Sequence, residues 1–257
     1  MIQLKNIDKI FNIGTVNEAQ LFDDFSFSVK KGDFVSIVGS NGSGKTTLLN
    51  IISGSIPVNN GSVLLDGRDI TRFPEYVRAQ KMGRVFQDPS VGTVPSMTIT
   101  ENLSLAENKG KPYMFDFAVN RRKKEMFKDA VYQLGLGLED KMDIPVGLLS
   151  GGQRQALSLL MSTMTPIDLL LLDEHTAALD PRTAEVIMNL TDRIVSEKKL
   201  TVIMVTHNLR YAVEYGNRLV MMDKGNIVLD KSDAEKKNTS VDDILHIFND
   251  ISIECGN

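Results

Sequence analysis

The strongest constraint on this chain is the run Gly39-Ser40-Asn41-Gly42-Ser43-Gly44-Lys45-Thr46, which fits G-x-x-x-x-G-K-[ST] at every fixed position. Before it, residues 34–38 read as a short buried strand. After it, residues 45–53 carry Leu48, Leu49, Ile51 and Ile52 at helical spacing, with Gly54 as a stop. A strand, a glycine-rich turn and a helix in that order cradle a phosphate chain. The glycines let the backbone fold tightly and turn its N–H groups inward, and the helix start aims the positive end of its dipole at the same point. Lys45 brings a full charge to the β- and γ-phosphates, and the Thr46 hydroxyl suits Mg²⁺. The expected ligands are ATP and Mg²⁺, with ATP contacted by Gly39, Ser40, Asn41, Gly42, Ser43, Gly44, Lys45, Thr46 and Thr47.

The rest of the chain shows where such a site would sit. Residues 1–33 alternate in short runs, as in Phe25, Phe27 and Val29, and read as antiparallel strand. Asn60-Gly61 and Asp66-Gly67 flank 62–65 and mark tight turns. From about 88 to 165 helical spacing dominates, for example Met126, Ala130, Val131 and Leu134. Strand signals return at 169–172 and 202–205, separated by a helix over 181–196, which is the β-α-β pattern of a parallel sheet. Residues 223–226, Asp-Lys-Gly-Asn, look like a hairpin turn. The fold class expected is α/β: a mostly parallel core at about 1–87 and 166–230, which includes an N-terminal antiparallel lobe. An inserted α-helical lobe at 88–165 and a tail at 231–257 complete the chain. In the tail, Val241, Ile244, Leu245, Ile247 and Phe248 form an amphipathic stretch suited to packing a dimer.

Composition removes several function classes. The 257 residues are 42% hydrophobic and 24% charged, an ordinary globular balance, and a net charge of −4 argues against a general nucleic-acid surface. Charges interrupt the N-terminal apolar residues, so no signal peptide is expected. No apolar run approaches the roughly 20 residues of a membrane span. The one cysteine, Cys255, permits no disulfide within the chain, which fits a reducing compartment. The run Arg121-Arg122-Lys123-Lys124 reads as a solvated helix face.

Three further features carry chemistry. The strand at 169–172 ends in Asp173-Glu174, and ligands of an open parallel sheet lie beyond the carboxyl ends of its strands. Asp173 is thereby a candidate Mg²⁺ ligand, and Glu174 a candidate base for an attacking water; two solvated acids are the bland alternative. The next strand ends in His207, a candidate γ-phosphate contact, unless Thr206 or Asn208 merely caps the next helix there. Leu149-Ser150-Gly151-Gly152-Gln153 precedes another helix, with Ser150 as a natural N-cap and two glycines exposing N–H groups. That makes a second potential anion site in a chain with one phosphate loop, so either it is an ordinary cap or it serves the nucleotide of another copy.

With these residues in order, the sequence resembles the ATP-binding-cassette ATPases over about residues 2–230. The resemblance rests on the phosphate loop, Gln87 after Val85-Phe86, the signature 149–153, Asp173-Glu174, Ala178-Leu179-Asp180 and His207. It implies a P-loop core working as a head-to-tail homodimer around two ATP molecules. It implies that Ser150, Gly151, Gly152 and Gln153 reach the γ-phosphate in trans and that Asp180 lies at the dimer seam. By the same resemblance Gln87 touches Mg²⁺ or the lytic water, and Phe11 is the candidate to stack on adenine. It further implies ATP hydrolysis coupled to a separate integral-membrane permease at the cytoplasmic face of the membrane, docked near 88–105. An extracytoplasmic solute-binding protein would supply the cargo.

One departure stands out. Proline usually follows the glutamate in this family, whereas His175 stands there, in Asp-Glu-His-Thr-Ala-Ala-Leu-Asp. That variant resembles ATPases of a bacterial importer group linked to tryptophan or tyrosine uptake, and no chemical role is expected for His175. An exporter subunit, a non-transport ATPase of DNA repair or translation, and a nucleotide-binding regulator are the competing classes. The last conflicts with Glu174 and His207. The second lacks its usual coiled-coil insertion, zinc cysteines or paired cassettes.

Overall fold

A computed structural model describes residues 1–111 and 121–254; Cys255 lies outside them. The chain forms two compact units, 1–78 with 200–257, and 79–199. In the first, β1 (Ile2–Phe11) pairs antiparallel with β2 (Ala19–Val29). On β2, Phe25, Phe27 and Val29 alternate inward as expected. A break in register at Asp24 (φ 49°) also brings Phe22 to the buried face, where its ring stacks on Phe25 at 4.5 Å. β3 (Phe34–Gly39) is buried throughout, and α1 (Lys45–Ser53) follows it.

β4 (Asn60–Leu65) joins the other side of β1 and turns through Asp66-Gly67 into β5 (Arg68–Asp69). Here one expectation fails. Asn60-Gly61 is not a tight turn but the opening of β4, with Asn60 paired to Asp8 across an irregularity in β1. The backbones approach so closely there that a Cβ on Gly61 would lie 2.2 Å from the Asn6 carbonyl oxygen. After α2 (Glu75–Arg78), the buried Arg78 guanidinium donates to the carbonyls of Ile51, Ile52, Thr71 and Phe73, closing the open C-terminal end of α1.

The second unit contains β6 (Met82–Val85), α3 (Ile99–Glu107), α4 (Arg121–Tyr132), α5 (Gly151–Thr163), β7 (Leu169–Asp173) and α6 (Pro181–Lys198). β6 and β7 run parallel with Arg84 opposite Leu171. On α4 the expected Val131 and Leu134 are buried and Ala130 is half-buried, but at the start of the stripe Phe127 takes the inward place expected of Met126. Met126 is 47% exposed, and Phe127, Val131 and, just past the helix, Leu134 face inward. Adjacent apolar residues leave the phase ambiguous, and the larger, stiffer Phe127 takes the core. The basic run is a paired surface, with Lys123 on Glu107 at 3.0 Å and Lys124 on Asp143 at 2.8 Å.

The chain returns to the first unit with β8 (Thr201–Val205), α7 (Leu209–Glu214), β9 (Arg218–Asp223), β10 (Asn226–Ser232), α8 (Asp233–Lys237) and α9 (Val241–Glu254). β3 lies between β8 and β9, parallel to both, and β10 returns antiparallel through the hairpin at Lys224-Gly225. The amphipathic tail is not left over for a partner: Ile244 is buried against Val38, Ala212, Leu219 and Met221, with Ile247 and Phe248 beside it. Among the described residues no helix is long and apolar enough to cross a membrane.

Candidate functional site

The phosphate loop leaves β3 at Gly39 and enters α1 at Lys45. Gly39 has no room for a side chain, since a Cβ would sit 2.1 Å from the Met222 carbonyl oxygen of β9. Lys45 is buried and folds back over the loop, its ammonium donating to the carbonyls of Gly39 (2.9 Å) and Ser40 (2.8 Å). The β9–β10 hairpin braces the loop from outside. Ser40 Oγ donates to Asp223 Oδ1 at 2.7 Å, and Gly225 N–H donates to the Ser43 carbonyl at 3.1 Å. Ser43 Oγ is buried without a hydrogen-bond partner among the described residues. A buried hydroxyl is costly to leave unmatched, so its position inside this loop fits a site shaped for phosphate oxygens. Asn41, Gly42 and Thr46 are exposed, and Thr47 is half-buried.

His207 follows β8 in the same unit. Thr206 N–H donates to the Ile37 carbonyl, which keeps the chain beside the end of β3 where the loop begins. The cap of α7 is Asn208, whose side chain accepts from Tyr211 N–H, with Thr206 Oγ1 accepting from Asn208 N–H. His207 is therefore not the capping residue, and its ring is exposed. Phe11 ends β1 half-buried, with the Lys9 ammonium 4.9 Å from its ring centroid.

In the second unit β7 delivers Asp173 to its end, where Arg84 Nη2 donates to Asp173 Oδ2 at 2.9 Å. Glu174 follows at φ 47°, a left-handed conformation that disfavours a side chain and that recurs where structure is strained for function. His175 is 2% exposed. The Thr191 hydroxyl gives its one hydrogen to the Ile187 carbonyl, so it accepts from His175 Nε2, which carries a hydrogen. Burial pushes that imidazole down to about 4, in keeping with a structural role. Asp180 caps α6, accepting from Thr183 N–H, and hydrogen bonding from the Thr183 side chain first, then from its N–H, holds the Asp180 carboxyl below the usual range.

The signature opens α5 with a reciprocal cap: Ser150 Oγ accepts from Gln153 N–H, and Gln153 Oε1 accepts from Ser150 N–H. Gln153 Nε2 also donates to the Leu136 carbonyl. Gly152 lies so close to α6 that a Cβ would meet Thr183 Cγ2 at 2.2 Å. Gln87 is exposed just past β6, where Gln155 Nε2 donates to the preceding Phe86 carbonyl at 3.1 Å. Gln87, Asp88, Gly151, Arg154, Gln155 and Asp173 line one cleft of about 510 Å³, so three residues singled out separately in the sequence meet in one place. Sequence reasoning missed Arg84, Gln155 and Asp223. A charged residue inside the short buried strand 82–85 was the available signal for Arg84, because a buried cation needs an acid.

A family profile described as ABC transporter matches residues 22–177. The chain belongs to the ABC transporter family. This ABC ATPase is 50% identical to a tyrosine transport ATP-binding protein of Clostridioides difficile, over 96% of this chain and 98% of that one. It is 31% identical to a phosphonates import ATP-binding protein of Lactococcus lactis, over 95% and 98%. Among solved structures it resembles a dimeric ATP-binding cassette in a post-hydrolysis state bound to ADP and Pi. There the TM-score is 0.77 at 28% identity, covering 90% of this chain and 98% of the other. The fold is therefore the cassette fold, a mixed sheet flanked by helices with an antiparallel N-terminal sheet, and the activity is ATP hydrolysis. The donors fit Mg²⁺ as well. The Thr46 hydroxyl in the first unit, and the Asp173 carboxylate and Gln87 amide in the second, are hard oxygen donors of the kind Mg²⁺ takes.

Proposed function

We propose that this chain is the energy-coupling subunit of an importer for an aromatic amino acid of the tyrosine class. The observation that carries the reading is the 50% identity, end to end, with a tyrosine transport ATP-binding protein. In this reading 88–165 is the helical lobe, and two copies pack head to tail at the cytoplasmic face of the membrane, bound to permease subunits that an extracytoplasmic solute-binding protein loads.

Bound MgATP supplies a strained phosphoanhydride and charge neutralisation. Lys45 adds positive charge at the γ-phosphate, and Thr46, Asp173 and Gln87 would hold the Mg²⁺, which would neutralise phosphate charge. Glu174 takes the proton of the attacking water at its carboxylate, and His207 donates to a γ-phosphate oxygen. Ser150, Gly151, Gly152 and Gln153 offer hydroxyl and backbone donors to the partner's nucleotide, with Asp180 at the seam and Phe11 against the adenine. Closure is driven only by the difference in nucleotide affinity between the closed and open pair.

The test is the complex purified from membranes, reconstituted in vesicles with its binding protein. Tyrosine should stimulate the ATPase and accumulate on the side of the vesicle where ATP is hydrolysed. Stimulation by phosphonate or methionine instead, or movement of the solute in the opposite direction, would overturn the assignment.

A further inference from the structure

β6 and β7 are short strands, Met-Gly-Arg-Val and Leu-Leu-Leu-Leu-Asp, with one charge each. With Arg84 opposite Leu171 and side chains alternating along a strand, Arg84 and Asp173 fall on the same face. Their side chains are only 12% and 10% exposed, so water screens the pair poorly. The guanidinium lies 4.6 Å from the Phe86 ring centroid, and the Arg84 backbone is held by Ser162 Oγ donating to its carbonyl at 2.7 Å. Arg84 is thus a fixed cation rather than a surface side chain that happens to reach an acid.

We propose that Arg84 is the resident counter-ion of Asp173 and sets how tightly that carboxylate holds Mg²⁺. A buried carboxylate needs a compensating charge at every stage of a catalytic cycle. Arg84 provides one in place, so the Asp173 carboxylate keeps a charged partner and one orientation whether or not a metal is near. The same positive charge, less than 3 Å from a carboxylate oxygen, weakens that carboxylate's attraction for a second cation. Mg²⁺ is then retained chiefly together with phosphate oxygens and is released with them. The proposal rests on the reading of Asp173 as a metal ligand. Arg84 acts through Asp173 and touches no reacting atom, so it is a positioning residue.

The experiment measures ADP binding by the full-length chain by calorimetry over a series of Mg²⁺ concentrations. Arg84→Met should lower the Mg²⁺ concentration for half-maximal tightening by about threefold or more, because a fixed opposing charge is gone. Arg84→Lys, which keeps the charge, should stay near wild type. An Arg84→Met midpoint that is unchanged or raised overturns the proposal, even if the variant melts lower, because a purely structural role would move stability and leave the metal dependence alone. Asp173→Asn separates this from failure of the parent reading. If Asp173→Asn leaves the Mg²⁺ dependence intact, Asp173 is not a metal ligand and both ideas fall. If Asp173→Asn abolishes it while Arg84→Met has no effect, only the role of Arg84 falls. Should Arg84→Met not fold, Arg84→Gln removes the same charge with a polar side chain and is read by the same criterion.

Discussion

The Ser40 hydroxyl and the Asp223 carboxylate meet at 2.7 Å across 183 positions of sequence, tying the phosphate loop to the hairpin that follows β9. A hydrogen bond to a charged acceptor contributes about 1.5 to 3 kcal/mol, less where water competes, as it does here. Asp223→Ala should therefore weaken MgADP binding several-fold, and Asp223→Asn, which can still accept, should weaken it much less. Calorimetry on the three proteins decides. Equal affinities would mean that the loop holds its shape without the brace.

Lys45 folds over the loop it belongs to, so its removal takes away both the charge and two internal hydrogen bonds. Lys45→Ala should lose most nucleotide affinity, by about a hundredfold or more if a charged contact of about 3 kcal/mol goes. Undiminished binding would contradict the role of the loop.

Glu174 combines a base with a left-handed backbone. Glu174→Gln should bind MgATP yet turn it over at least about a hundredfold more slowly, the usual reach of a general base. It should elute as a dimer on size exclusion with MgATP. Glu174→Gly should be equally inactive and no less stable than wild type, because glycine relieves about 1 kcal/mol of strain and gives back part of it as unfolded-chain entropy. A melting point several degrees lower would show that the carboxylate supports the fold.

His175 gives a pH test. Its folded pKa, about 4, lies below the ordinary 6.5, so between those values the unfolded chain binds the proton that the folded chain refuses. Stability from this group is present above pH 6.5 and is lost as pH falls toward 4, up to about 3 kcal/mol. His175→Gln should flatten that part of the stability profile in denaturant titrations. A slope identical to wild type would mean that the imidazole accepts its proton in the folded state.

Gly152 separates packing from recognition. Gly152→Ala places a methyl group against Thr183 and should cost about 1 to 3 kcal/mol, and Thr183→Ala in the same chain should restore most of it. Gly151→Ala, whose nearest neighbour would be 3.4 Å away, should be milder. If the double variant regains its melting point but not its ATPase, the backbone at 152 has a further role beyond fitting α6.

Local signals carried most of what could be read from sequence alone. The phosphate loop, the Gly54 stop, the Ser150 cap and the 223–226 hairpin are each specified within a few residues, and the structure has them where expected. Failures came where distant contacts overrule local rules. Asn60-Gly61 carries a turn signature but is recruited as strand because β1 lies alongside. Met126 and Phe127 compete for one inward position, and only packing selects between them. At the site, the candidate residues could be picked out by type and spacing, whereas Arg84, 89 residues from Asp173, was marked only by a charge inside a short buried strand, and Asp223, 183 residues from Ser40, left no mark in any short window.

The packing of Ile244 on Val38 also has a practical meaning. Val38 is the residue just before the phosphate loop, so the last helix of the described chain forms the floor under the strand that feeds the nucleotide. Shortening the protein before Val241 would open that floor to water, and the damage should show first as leaky nucleotide affinity. A purification handle is better placed at the amino end, and a protease that trims the carboxyl end would double as an off-switch.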